Sequence, residues 1–98
     1  MIPGRPGYAS GPVRHAGPET LAGLAGVLDE LRGTAGIAER KAGVFYRGSK
    51  AFLHFHEDPT GPYADVRLQV GGDFERFRVR TAAERRRLLT HVRAALGS

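Results

Sequence analysis

The chain has 98 residues, a length suited to one domain with a single hydrophobic core. Its composition, 41% hydrophobic and 26% charged, is ordinary for a globular domain, and no apolar run approaches the roughly 20 residues needed to span a bilayer. The net charge of +5 permits an anionic partner such as nucleic acid, while the lack of cysteine excludes disulfides, thiolate metal ligands and cysteine nucleophiles. We therefore expect a cytoplasmic protein, because the N-terminal residues also show no apolar signal core.

The N-terminal part divides into a tail and a helix. Residues 1–17 are rich in Gly and Pro without a hydrophobic period, which predicts a flexible tail and leaves 18–98 as one folded domain. A helix is predicted to begin at Pro18, because proline is favoured at the first helical position, and to end near Gly33. Its apolar stripe comprises Leu21, Leu24, Leu28 and Leu31.

Residues 44–80 carry the pattern of an antiparallel meander. Short runs rich in β-branched and aromatic residues are separated there by Gly and Pro breaks. The pair Gly48-Ser49 predicts a tight hairpin turn between strands at 44–47 and 50–57. Longer links are predicted at 58–62 and 71–73, and a further short strand can begin at Ile37.

The C-terminal helix is predicted from its capping box, Thr81 followed by Glu84, and from an apolar stripe. The stripe comprises Leu88, Leu89, Val92 and Leu96. The two helices each have one apolar face, so we expect both on the same side of the sheet. The predicted fold is α+β: a four- to five-stranded antiparallel meander with an N-terminal and a C-terminal helix packed on one face, a helix–sheet–helix two-layer sandwich.

The other sheet face is predicted to be open and to carry the functional groups. His54 and His56 share a face because they are two residues apart on one strand. The predicted binding residues are Phe52, His54, His56, Asp65, Arg67, Arg76 and Arg78. This set favours a small non-enzymatic interaction domain for an anionic or protein partner without a cofactor. The expected protein partners include a second copy of the chain, because Phe52 would otherwise be exposed to water.

Two alternatives remain open. Seven arginines between Arg76 and Arg93, with Phe52 as a stacking platform, also fit nucleic-acid binding. Alternatively, His54, His56 and Asp65 provide a ligand set for zinc. The same residues also fit a hydrolase in which His54 or His56 is the acid–base group and Asp65 orients its ring. Against a hydrolase, Ser49 lacks a nucleophile-elbow pattern, and no phosphate-loop or dinucleotide motif occurs.

The helix–meander–helix order resembles two groups of small bacterial proteins, the YjbR-like proteins and the "luciferase domain" proteins. The residues that carry the resemblance are Gly48, Lys50, Phe52, His54, Phe55 and His56 in one strand, and Ala64, Asp65 and Val66 in the next. The resemblance covers residues 18–97. It implies a helix–sheet–helix sandwich and no particular common activity.

Overall fold

The structure is a computed structural model that describes residues 13–97. It is an α+β fold whose antiparallel sheet has six strands, in the order β2-β3-β4-β5-β6, with β1 paired to β4. The strands are β1 (Arg14–His15), β2 (Ala38–Lys41), β3 (Val44–Arg47), β4 (Lys50–Asp58), β5 (Gly61–Val66) and β6 (Glu75–Arg78). The helices are α1 (Pro18–Gly23), α2 (Ala25–Arg32) and α3 (Ala82–Gly97).

The core confirms the predicted two-layer arrangement. Leu28 and Leu31 of α2 and Leu88 and Val92 of α3 are buried in one cluster with the apolar face of the sheet. The sheet contributes large side chains to that cluster, among them Phe45, Leu53, Phe55 and Val66. Within residues 13–97, no helix combines the length and apolar character needed to cross a membrane.

The N-terminal helix differs from its prediction by a break. The chain departs from helical geometry at Leu24, whose φ is −105° and ψ 15°, so that α1 ends and α2 begins around this residue. Gly23 and Gly26 flank the break and lower helix propensity there. Leu24 is nevertheless only 1% exposed, so its side chain remains in the core despite the break.

The start of α3 confirms the predicted capping box. The amide of Glu84 donates to Oγ1 of Thr81 at 3.1 Å, and the amide of Thr81 donates to Oε1 of Glu84 at 3.0 Å. The same carboxylate accepts a bond from the amide of Arg80 at 2.8 Å. These bonds satisfy backbone donors that a helix N-terminus otherwise leaves without intrahelical partners.

The links between strands follow the prediction only in part. The turn at Gly48 is confirmed, and its φ of 64° is one that glycine adopts without strain. The strands β4 and β5 are joined by Pro59 and Thr60 alone, so this turn is shorter than predicted. In contrast, β5 ends at Val66, and residues 67–74 form a longer connection in which Val70 is 89% exposed.

Part of the predicted tail belongs to the sheet. Arg14 pairs with Glu57 and His15 pairs with His56, while the amide of Ala16 donates to the carbonyl of Phe55 at 3.1 Å. Gly and Pro density does not reveal such pairing, because the partner strand is about 40 residues away. Residues 1–12 of the predicted tail lie outside the described residues.

Candidate metal centre

The sheet register brings the predicted polar residues together on one face. His54 of β4 pairs with Asp65 of β5, which in turn pairs with Arg76 of β6. Directly opposite residues of antiparallel strands project to the same face and lie close enough to interact. His56, two residues after His54, lies on the same face in the adjacent row, opposite Tyr63.

The donor atoms of His54, His56 and Asp65 converge. Nδ1 of His54 contacts Nε2 of His56, and Nε2 of His56 lies 3.5 Å from Oδ2 of Asp65. One ligand atom from each residue lies within 4.8 Å of the other two. Zinc bonds to nitrogen and oxygen measure about 2.0–2.2 Å, so small side-chain rotations would place all three donors around one ion.

A third histidine borders this group and was missed by the sequence analysis. His15 of β1 pairs with His56, and its ring centroid lies 5.0 Å from that of His56 and 6.0 Å from that of His54. Its side chain is exposed. Nothing in the local sequence marks His15, because only the pairing of β1 with β4 brings it here.

The face that carries this group is partly covered, which corrects the expectation of an open face. Asp65 is only 9% exposed, and both His54 and His56 are half-buried. Phe74 packs edge-on against His54 with ring centroids 4.8 Å apart, and Tyr63 stacks against His56 at 5.7 Å. The connection 67–74 and strand β1 therefore shield the centre of the face.

Arg76 orients Asp65. Its Nε and Nη2 atoms donate to Oδ1 and Oδ2 of Asp65 at 2.9 and 3.2 Å, and its guanidinium lies 4.1 Å from the ring centroid of Tyr63. The hydrogen bonds to Asp65 raise the pKa of Arg76. A carboxylate has about four lone-pair sites, so Asp65 retains acceptor capacity for a metal ion or for His56.

The surroundings favour neutral imidazoles. Burial lowers the pKa of His54, and the neighbouring His56 lowers it further, against the opposing effect of Asp65. Burial also lowers the pKa of His56, again opposed by Asp65. Metal coordination requires an unprotonated nitrogen, so both rings are suited to it near neutral pH.

The prediction that Phe52 lies on the exposed binding face is wrong. Phe52 is 2% exposed and belongs to the core cluster. The β3–β4 register shifts between Phe45 and Tyr46, which face Leu53 and Ala51, so Phe52 is an unpaired extra residue. Such a β-bulge interrupts the strict alternation on which the prediction relied.

The arginines between Arg76 and Arg93 do not all remain free for phosphates. Besides Arg76, Arg85 donates to the carbonyl of Val79 at 2.8 Å, and Arg93 donates to Glu30 at 2.6 Å. Arg78, which the sequence placed on the binding face, is exposed and lies 3.4 Å from the hydroxyl of Thr60. The basic side chains are thus partly committed to internal contacts.

An acid–base arrangement has only one of its parts in place. Asp65 faces His56, as an orienting carboxylate would. Ser49 is exposed in the β3–β4 turn, five residues before His54, which is about 16 Å along an extended strand. That distance is too long for a hydrogen bond from the serine hydroxyl to this histidine.

Comparisons with known proteins identify no relative from which a function could be transferred to this chain. The chain matches no protein-family model, no curated protein and no solved structure at a significant level. The resemblance to YjbR-like and "luciferase domain" proteins stays a prediction. The function must therefore be inferred from the geometry of the site itself.

Proposed function

We propose that this protein is a small metal-binding domain that holds one divalent transition-metal ion through His54, His56 and Asp65. The observation that carries the proposal is the convergence of the three donor atoms within 4.8 Å of one another. Two of the donors are aromatic nitrogens with lowered pKa values, and the third is a carboxylate held in place by Arg76. Carboxylates that bind metal ions in proteins are commonly held by such outer-shell hydrogen bonds.

The chemistry of the donors selects the class of metal. Imidazole nitrogen combined with carboxylate oxygen suits zinc and related transition metals. Magnesium and calcium prefer oxygen ligands and bind histidine poorly. Zinc is therefore the ion of choice for a test, and magnesium is its natural negative control.

His15 supports a four-ligand site. Zinc in structural sites is tetrahedral with four protein ligands, and His15 is the histidine nearest to the other two rings. We propose that its side chain turns toward the ion and completes the set. The ion would then join β1 to β4 and β5, which gives it a structural role and requires no catalysis.

The predicted partners and location stay predictions. The excess of basic residues supports an anionic partner such as nucleic acid. A homodimer was predicted from an exposed Phe52, and that argument no longer applies because Phe52 is buried. A cytoplasmic location is supported by the absence of cysteine from the sequence. None of these is required by the metal-binding proposal.

Calorimetric titration of tag-free protein with zinc tests the proposal. We expect one zinc ion per chain for the wild type, a loss of at least roughly tenfold in affinity for His54→Ala and Asp65→Asn, and no response to magnesium. His91→Ala is the matched control, because His91 is exposed on α3 beside Phe77, on the helix side of the sheet. Equal zinc affinity of His54→Ala and His91→Ala, with both folded by circular dichroism, would refute the site.

A further inference from the structure

A second candidate site lies at the other end of β4. A cavity of about 360 Å³ opens between the β3–β4 hairpin and the connection that follows β5. Phe52, Ala51, Val70 and Gly71 supply a largely apolar wall. This volume is within the range of pockets that bind small molecules.

The cavity is bordered by three cationic side chains and by no acid. Arg47, Lys50 and Arg67 line it, and none of them forms an ion pair with a carboxylate of residues 13–97. A cluster of like charges beside an apolar wall is unfavourable without a counter-charge. The lining is therefore complementary to an anion that also has an apolar part.

Arg67 supplies a donor that is already buried and unpaired. Its Nε atom is buried and has no hydrogen-bond partner within residues 13–97. Its guanidinium lies 4.5 Å from the ring centroid of Phe74, a contact that restricts where the group can point. A buried donor without a partner is costly, so an acceptor in the cavity that bonds to it after a small shift of the Arg67 side chain gains more than an ordinary surface hydrogen bond would provide.

We propose that this cavity binds a small amphipathic carboxylate. Its head would pair with Arg67, assisted by Arg47 and Lys50, and its apolar part would lie against Phe52 and Val70. Free phosphate fits less well, because the apolar wall offers it no further donors. The cavity adjoins the proposed metal centre, because Phe74 contacts both Arg67 and His54. None of its lining residues is a proposed metal ligand, so the inference does not depend on metal binding.

Two-dimensional NMR titrations with octanoate, acetate and octanol test this inference. Octanoate should shift the amides of Ala51, Arg67 and Gly71, whereas acetate lacks the apolar part and octanol lacks the charge, so each should bind at least roughly tenfold more weakly. Equal binding of octanol and octanoate, or octanoate shifts that avoid these residues, would overturn the proposal.

Two variants and a control locate the interaction. Arg67→Met removes the charge and keeps most of the side-chain length, and should weaken octanoate binding by at least roughly tenfold. Val70→Glu places an acid at an exposed lining position, so it should weaken binding while preserving the fold. Arg86→Gln removes an exposed charge on α3 outside the cavity and should bind as the wild type does. Unchanged affinity of either lining variant relative to Arg86→Gln contradicts the proposal.

Discussion

Nδ1 of His54 lies against Nε2 of His56, although the two rings belong to residues that are two positions apart on the same strand. The rings are nearly perpendicular, at 80°, with centroids 4.4 Å apart. Both rings turn their nitrogens toward one point beside Asp65, instead of standing parallel along the strand. Two neutral imidazoles can share a single proton in such a contact, whereas a metal ion placed between them would use both lone pairs.

His15→Ala should lower zinc affinity by at least roughly tenfold, since loss of a ligand should cost no less than the loss of an outer-shell partner of a metal site. The effect should be smaller than that of His54→Ala, because His15 lies on a two-residue edge strand and its side chain is exposed. Calorimetric titration with zinc measures both variants. If His15→Ala binds as the wild type while His54→Ala does not, the site has three protein ligands and the proposed role of His15 is wrong.

Glu57 should make the fold sensitive to acid. Its carboxylate accepts bonds from the hydroxyl of Thr20 and from the amide of Gly17, the latter at 2.9 Å, and these bonds lower its pKa below the usual value of 4.5. A carboxylate whose pKa is lower in the folded state stabilises the fold at pH values above its unfolded-state pKa. This stabilisation is lost as the pH falls through the folded-state pKa.

Urea unfolding from neutral pH to pH 3 measures this contribution. Glu57→Gln should be less stable than the wild type at neutral pH, and the difference should shrink as pH falls below about 4.5. Glu19→Gln is a suitable control, since Glu19 is an exposed carboxylate in the first turn of α1, the helix whose start Glu57 contacts. A stability difference that is independent of pH would show that the Glu57 charge does not hold the start of α1.

Leu89→Ala should destabilise the fold by about 2–5 kcal/mol, the usual cost of removing a large buried aliphatic side chain. Leu89 is 9% exposed and lies in the same cluster as Leu24 and Leu28. Thr90→Ala changes the adjacent exposed position on α3 and should have a much smaller effect. Similar unfolding midpoints of the two variants would mean that α3 does not complete the core.

Local signals were sufficient for much of the fold. The spacing of Thr81 and Glu84 predicts a helix start because both partners of each capping bond lie within one turn. The spacing of His54 and His56 is also a local signal, because residues two positions apart on a strand lie on the same face. The pairing of Asp65 with His54 then follows from the hairpin turn between β4 and β5.

Other features depend on contacts between distant residues and left no local signal. Phe52 enters the core because β3 shifts its register against β4, which alternation within β4 cannot show. His15 reaches the site through an edge pairing of two residues in a segment rich in Gly and Pro. Phe74 covers His54 because the connection after β5 folds over the sheet. The sequence pattern had predicted a strand that continues to Val70, whereas β5 ends at Val66.

A crystal of tag-free protein grown with zinc, with diffraction data collected on both sides of the zinc absorption edge, tests the central claim most directly. The account predicts one anomalous peak per chain, at about 2.0–2.2 Å from Nδ1 of His54, Nε2 of His56 and a carboxylate oxygen of Asp65. The same peak should be absent from His54→Ala crystals grown under the same conditions and present in His91→Ala crystals. An anomalous peak only at other residues, or no peak with zinc in excess, would contradict the account.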